Sequence, residues 1–206
     1  MFVRCFALAA VSIGAAAPSL SAGDCVPEWD PAFGLPGASP GVVFDYATQD
    51  FGNGPELFTS GSFTSIGGIA ANRIARWNGT SWSALGTGLS SNEGYAIAGY
   101  GGDLYAAGYF NLAGDVAGTA KLARWDGRAW HSIGAQLELF SNQLWDLTTW
   151  DDGSGEALYI AGNYQDIGGV TGANYIAKWD GTSFSALGAP ISGAGVPLII
   201  FKVFVW

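Results

Sequence analysis

Residues able to do chemistry are sparse in this chain, and their spacing narrows what they can do. There is one histidine, His131, and there are two cysteines, Cys5 and Cys25. Zinc, copper and haem sites need clusters of imidazole and thiolate ligands, so no metal site and no cofactor is assigned. Oxygen ligands gather at one place, where Asp151-Asp152-Gly153-Ser154-Gly155-Glu156 puts three carboxylates in one turn. Calcium takes such ligands, but the spacing fits no standard calcium loop and a polar hairpin tip accounts for it. Gly37-Ala38-Ser39-Pro40-Gly41 spells the G-x-S-x-G of a nucleophile elbow. That elbow needs a strand before it and a helix after it. Here Pro40 follows the serine in a loop, and no catalytic residue is assigned.

Two sets of side chains remain as candidates for binding. Arg76, Arg124 and Lys178 fall at one equivalent position of three similar stretches, and Arg73 and Lys121 at another. One reading is a repeated ion pair from sheet to sheet, with aliphatic stems packed on apolar surface. The other is a ring of positive charge that holds an acidic ligand such as an anionic glycan. Trp145 and Trp150 form the second set, because the second of the three units has no tryptophan to match them. Trp77, Trp82, Trp125, Trp130 and Trp179 recur in register and read as packing residues.

The elements that position these residues are written three times. Residues 74–86 (IARWNGTSWSALG), 122–134 (LARWDGRAWHSIG) and 176–188 (IAKWDGTSFSALG) each read as strand, turn, strand. The Asn-Gly or Asp-Gly at each centre predicts a two-residue type I′ turn with φ > 0 at both residues. Upstream of each hairpin lie two more strands and a Gly-containing loop: LFTSGSF, LYAAGYF and LYIAGNY mark the second strand of each unit. Trp77, Trp125 and Trp179 are 48 and 54 residues apart, and Gly86, Gly134 and Gly188 give the same spacings. Most of the extra length of the third unit falls at residues 151–156, a hairpin tip that tolerates insertion. Four short strands in each repeat of about 50 residues predict an all-β fold of β-propeller blades.

The Leu-Tyr-x-Ala-Gly strand, the loop with a Gly pair, the Trp-bearing strand and the second aromatic (Trp82, Trp130, Phe184) resemble kelch-type repeats. More closely, they resemble the kelch-like tandem repeats of secreted bacterial proteins, over residues 41–188. Trp125-Asp126 and Trp179-Asp180 are also similar to the WD dipeptide, but the Gly-His half of that signature is absent, so WD repeats rank second. The resemblance implies four-stranded blades at about 41–88, 89–135 and 136–188. Three blades make an incomplete ring, which leaves a blade face and a strand edge uncovered and invites self-association to complete it.

The flanks complete the expectations. Residues 1–22 read as a signal peptide, with Arg4 before an apolar core and small residues near a cleavage site. Residues 23–40 read as a lead-in loop. Residues 189–206, ending VPLIIFKVFVW, read either as the start of a fourth blade or as an aberrant C-terminus. That run is too short to span a bilayer. The chain carries 8 basic and 17 acidic residues, a net charge of −9, which disfavours nucleic acid and anionic membranes. The expected role is an exported binding or scaffold module with an unknown protein or glycan ligand. The alternatives are a secreted carbohydrate-active enzyme with loop carboxylates, and a truncated, non-functional fragment.

Overall fold

The computed structural model describes residues 37–135, 137, 143–188 and 203. The expected signal peptide at 1–22, Cys25, most of the expected lead-in loop and all of residues 189–206 except Val203 lie outside the described residues.

The described chain is all-β and antiparallel. The first four-stranded sheet holds, in spatial order, β1 (Val43–Asp50), β2 (Pro55–Gly61), β5 (Ile74–Trp77) and β6 (Trp82–Ala84). A small β3–β4 hairpin (Ser65–Ile66, Ile69–Ala70) sits in the loop between β2 and β5, around Gly67-Gly68. The second sheet holds β7 (Gly94–Tyr100), β8 (Asp103–Gly108), β9 (Leu122–Trp125) and β10 (Trp130–His131). The third holds β11 (Gln143–Asp151), β12 (Glu156–Asn163), β13 (Ile176–Trp179) and β14 (Phe184–Ala186). Each sheet is a meander of neighbouring hairpins, compatible with blade-like repeats. Among the described residues no helix is long and apolar enough to cross a membrane.

The repeated residues have repeated jobs. Cross-strand partners Trp77↔Trp82, Trp125↔Trp130 and Trp179↔Phe184 put the two aromatics of each hairpin side by side. Their ring centroids are 5.4, 5.3 and 4.5 Å apart, in tilted geometry. The second aromatic packs on the first glycine of the loop: a Cβ on Gly67, Gly114 or Gly168 would overlap the ring of Trp82, Trp130 or Phe184. All three glycines also have φ near +60°, so backbone and packing both require glycine there.

The turn chemistry differs from the sequence expectation. The hairpin loops are four residues long, and only the glycine, not the Asn or Asp before it, has positive φ. The Asn or Asp acts through its side chain. Asn78 Oδ1 accepts the N–H groups of Thr80 and Ser81 at 3.0 and 2.9 Å. Asp126 Oδ1 accepts those of Arg128 and Ala129, and Asp180 Oδ1 those of Thr182 and Ser183, all at 2.8 Å. Asx caps of this kind replace the type I′ turn.

The sheets pack face to face, with β7 between β1 and β11. Phe58, Ile74, Leu85 and Leu89 of the first unit meet Ile97, Leu104, Trp125 and Trp130 of the second. Ala98, Tyr105 and Leu122 of the second meet Leu147, Leu158, Ile160 and Trp179 of the third. Hydrogen bonds cross the same seams: Trp130 Nε1–H donates to Leu85 O at 3.0 Å, and Trp179 Nε1–H to Tyr105 Oη at 3.3 Å. The second sheet thus turns a back face to the first sheet and a forward face to the third, and the corresponding faces of the other two sheets take the same names. The back face of the first sheet has no such partner among the described residues. Tyr46 there is 72% exposed, whereas its counterparts Ile97 and Leu147 are buried.

Candidate functional site

The first strands of the three sheets, β1, β7 and β11, share one irregularity, and it builds the site. Their register shifts by one residue after the first pair: Val43↔Gly61 then Asp45↔Ser60, Gly94↔Gly108 then Ala96↔Ala107, Leu144↔Gly162 then Asp146↔Ala161. The residue left over at each bulge is Phe44, Tyr95 or Trp145. A bulge turns one side chain out of the regular alternation. Here it brings an aromatic from each sheet into a single row. The Phe44 and Tyr95 rings lie 5.5 Å apart, and Tyr95 stacks on Trp145 at 4.5 Å with the planes 20° apart. Phe44 is 46% exposed, so the row opens to solvent at its first member.

The polar group beside the row is Glu93, whose carboxylate accepts the Tyr95 hydroxyl at 3.4 Å. Burial, and then the Glu93 charge, push the Tyr95 phenol up to about 12. Tyr95 is therefore a neutral donor across the physiological range and no base. Ring faces flanked by a carboxylate can stack on the apolar face of a sugar or on an apolar side chain.

Of the residues singled out from sequence, Trp145 is part of this row. Trp150 is not. It lies at the far end of β11, 44% exposed, with its ring 5.7 Å from Tyr159. The counterparts of the two tryptophans in the second sheet are Tyr95 and Tyr100, so both positions are aromatic there as well. Phe44 and Tyr95 went unnoticed in the sequence because each reads as an ordinary strand residue. The available signal was an aromatic recurring about 50 residues apart, at 44, 95 and 145.

Arg76, Arg124 and Lys178 do occupy equivalent places, on the forward face of each sheet opposite Phe58, Tyr105 and Tyr159. Each meets an acid of its own sheet rather than of the next one: Arg76 with Glu56 at 3.4 Å, Arg124 with Asp103 at 2.7 Å and Lys178 with Asp152 at 2.7 Å. The Lys178 contact, with hydrogen bonds from Ser154 and Tyr159, holds Asp152 well below the usual carboxylate range. Arg73 and Lys121 sit on left-handed backbone (φ 64° and 67°), as does Tyr175. Arg73 donates to Leu89 O, and the buried Lys121 ammonium donates to Tyr109 O at 3.1 Å while lying 4.0 Å over that ring.

The remaining sequence candidates have local duties. Asp151 Oδ1 accepts the N–H groups of Gly153 and Gly155 and so closes the hairpin tip. Among the described residues no group of three or more His, Cys, Asp or Glu is placed to hold a metal ion. Ser39 bridges Ser65 through backbone hydrogen bonds and is followed by β1, not by a helix. His131 Nε2 contacts Asp126 Oδ2 at 2.7 Å on the surface. The Ala129 and Arg128 N–H groups, then His131, hold the Asp126 carboxyl down at about 2. A carboxylate depressed in this way favours the fold above its usual range, and the benefit fades as pH falls through about 2. The side-chain carbon of Asp126 should titrate with a midpoint near 2 by NMR. In Ala129→Pro, which removes one of the N–H donors, that midpoint should move up toward the usual range near 4.

Fold and site together define an all-β protein of four-stranded antiparallel sheets with an aromatic row across the first strand of each sheet. No family model matches the chain, and neither a curated protein nor a solved structure matches it.

Proposed function

We propose that this chain is a kelch-like β-propeller repeat module, exported under the leader at 1–22, that acts as a binding or scaffold protein. Its ligand contacts the row Phe44–Tyr95–Trp145. One observation carries this reading. The frame keeps Trp77, Trp125 and Trp179 and Gly61, Gly108 and Gly162 for the same packing, while the row uses a different aromatic in each sheet and stands partly open. Residues that serve packing recur in kind; a recognition surface needs individual members on a rigid support. Stacking on rings suits a neutral glycan or an apolar protein side chain. An anionic glycan fits less well, because Arg76, Arg124 and Lys178 are each paired with an acid and the chain is strongly acidic. The uncovered back face of the first sheet, with Tyr46 outermost, suits a further sheet of the same kind, including one from a second copy.

The test is a titration with neutral β-linked glucose and N-acetylglucosamine oligomers, followed by indole fluorescence and calorimetry. Trp145→Ala and Phe44→Ala should each weaken binding about tenfold or more, as expected for one lost stacking contact. Trp150→Ala should leave binding unchanged. Undiminished binding in Trp145→Ala would remove the row from the site, and no binding of any oligomer would leave the apolar side chain as the ligand to test.

A further inference from the structure

The sequence writes Asn-Gly twice, at Asn53-Gly54 and at Asn78-Gly79. An asparagine before a glycine brings its own electrophile and nucleophile together. The backbone nitrogen of the glycine can attack the side-chain amide carbon, because no Cβ hinders the approach and the glycine backbone turns freely. The fold treats the two pairs differently.

At the first pair the nucleophile is held. Gly54 N–H donates to Asp50 Oδ1 at 3.0 Å, beside Gly52 N–H at 2.7 Å. A carboxylate bonded to an N–H favours the protonated nitrogen and so opposes the attack. At the second pair it is the electrophile that is held. Asn78 Oδ1 accepts the N–H groups of Thr80 and Ser81 at 3.0 and 2.9 Å, and the Thr80 hydroxyl at 2.9 Å. Negative charge develops on that oxygen when a nucleophile adds to the amide carbon, and donors already aimed at it stabilise the charge. Among the described residues no acceptor holds the Gly79 N–H. Asn78, Gly79 and Thr80 are all exposed, and a Cβ placed on Gly79 would meet open space. Solvent base and water therefore reach the pair.

The product has a place already made for it. Asp126 and Asp180 stand where Asn78 stands, and their Oδ1 atoms accept the corresponding N–H groups at 2.8 Å. Aspartate in the first hairpin keeps the same cap, with a charged acceptor in place of a neutral one.

We propose that Asn78 is a site of spontaneous covalent modification, converted to aspartate through a cyclic imide with Gly79, and that Asp50 shields Asn53 from the same reaction. Gly79 N gives its proton to solvent base and bonds to Asn78 Cγ. The Cγ–Nδ2 bond breaks, and Nδ2 leaves as ammonia. Water then opens the imide. Attack at Cγ breaks the new Cγ–N bond and gives aspartate. Attack at the main-chain carbonyl of residue 78 breaks the peptide C–N bond instead and gives isoaspartate, with the chain running through the side chain. The inference is independent of the aromatic row and of any ligand, so failure of the oligomer titration would not touch it.

The full-length chain is held folded in mildly alkaline buffer made with heavy-oxygen water, and peptides spanning the two pairs are followed by mass spectrometry. Asn78 should convert about tenfold or more faster than Asn53, the effect of one hydrogen bond to a charged group that must first break. The product should carry heavy oxygen from the water. In urea the two rates should become similar, since the fold no longer separates the pairs. Asp50→Ala should raise the folded-state rate at Asn53 about tenfold and leave Asn78 alone. Asn78→Asp should unfold at the same temperature as the parent chain or higher. An Asn78 that stays intact in the folded chain and converts in urea would overturn the proposal, as would equal rates at the two pairs in the folded chain. An unchanged Asn53 rate in Asp50→Ala would remove the shielding by Asp50. A lower unfolding temperature for Asn78→Asp would mean that the hairpin does not accommodate the product. Should Asp50→Ala fail to fold, the folded and urea rates of the parent chain still decide, and they need no variant.

Discussion

Gly108→Ala is expected to cost about 3 kcal/mol or more of folding stability, from a single methyl group. Gly108 pairs with Gly94 next to the bulge that displays Tyr95. An added Cβ would overlap Glu93 O, and would lie 2.9 Å from Gly94 Cα and 3.0 Å from Tyr95 N. All three are backbone atoms, so no side chain can swing aside to relieve the contact. Gly61 and Gly162 face Val42 O and Gln143 O in the same way, so the constraint belongs to the repeat and not to one sheet. Gly102→Ala is the control. Gly102 sits in the β7–β8 turn at φ +89° with open space around it, and alanine there meets only backbone strain of about 1 kcal/mol. Thermal unfolding should separate the two, with a drop of roughly 6–12 °C for Gly108→Ala and a few degrees for Gly102→Ala. Equal drops would mean that the close approach at the bulge is not what demands glycine.

That glycine shows what the sequence could and could not reveal. Its recurrence at 61, 108 and 162 was visible, and so was the meander of four strands that it punctuates. Its cause was not visible, because the carbonyl that excludes a Cβ belongs to a residue far back in the sequence, brought in by strand pairing. The same holds for the hairpins. Asn-Gly and Asp-Gly announced a turn, but the spelling could not tell a left-handed Asn from one whose side chain caps the next two N–H groups. The cations at 76, 124 and 178 were legible as a set because their spacing equals the repeat. Their partners were not, since Glu56 and Asp103 approach from the neighbouring strand and Asp152 from a hairpin tip, at unequal sequence offsets. The aromatic row was the least legible feature. A bulge is a property of two paired strands, and nothing in Phe44, Tyr95 or Trp145 alone marks a residue as unpaired. Trp145 was reached for a different reason, its lack of a tryptophan counterpart, and that reason would not have led to Tyr95 or Phe44.

The largest contrast between equivalent positions is expected for Trp130 and Trp82. Both are the second aromatic of their hairpin, and both lie on the loop glycine of their own unit, Gly114 or Gly67. Only Trp130 is closed over by a neighbouring sheet. It is 3% exposed, and its indole N–H donates to Leu85 O across the seam between the first and second sheets. Trp130→Ala should therefore cost about 3–5 kcal/mol, from lost burial, a cavity and the lost indole hydrogen bond to Leu85 O, which keeps the Gly88 N–H. Trp130→Phe keeps most of the packing and should cost about 1 kcal/mol for the hydrogen bond. Trp82 lies half-buried on the back face of the first sheet, and Trp82→Ala should cost only about 1–2 kcal/mol on the area it hides. Urea denaturation of the three variants at low protein concentration decides the matter. A Trp82→Ala cost equal to that of Trp130→Ala would mean that the back face of the first sheet is covered in solution. Repeating the series at higher protein concentration would then identify the cover. A cost that grows with concentration belongs to a second copy, since association stabilises by mass action, and a constant one belongs to the chain itself.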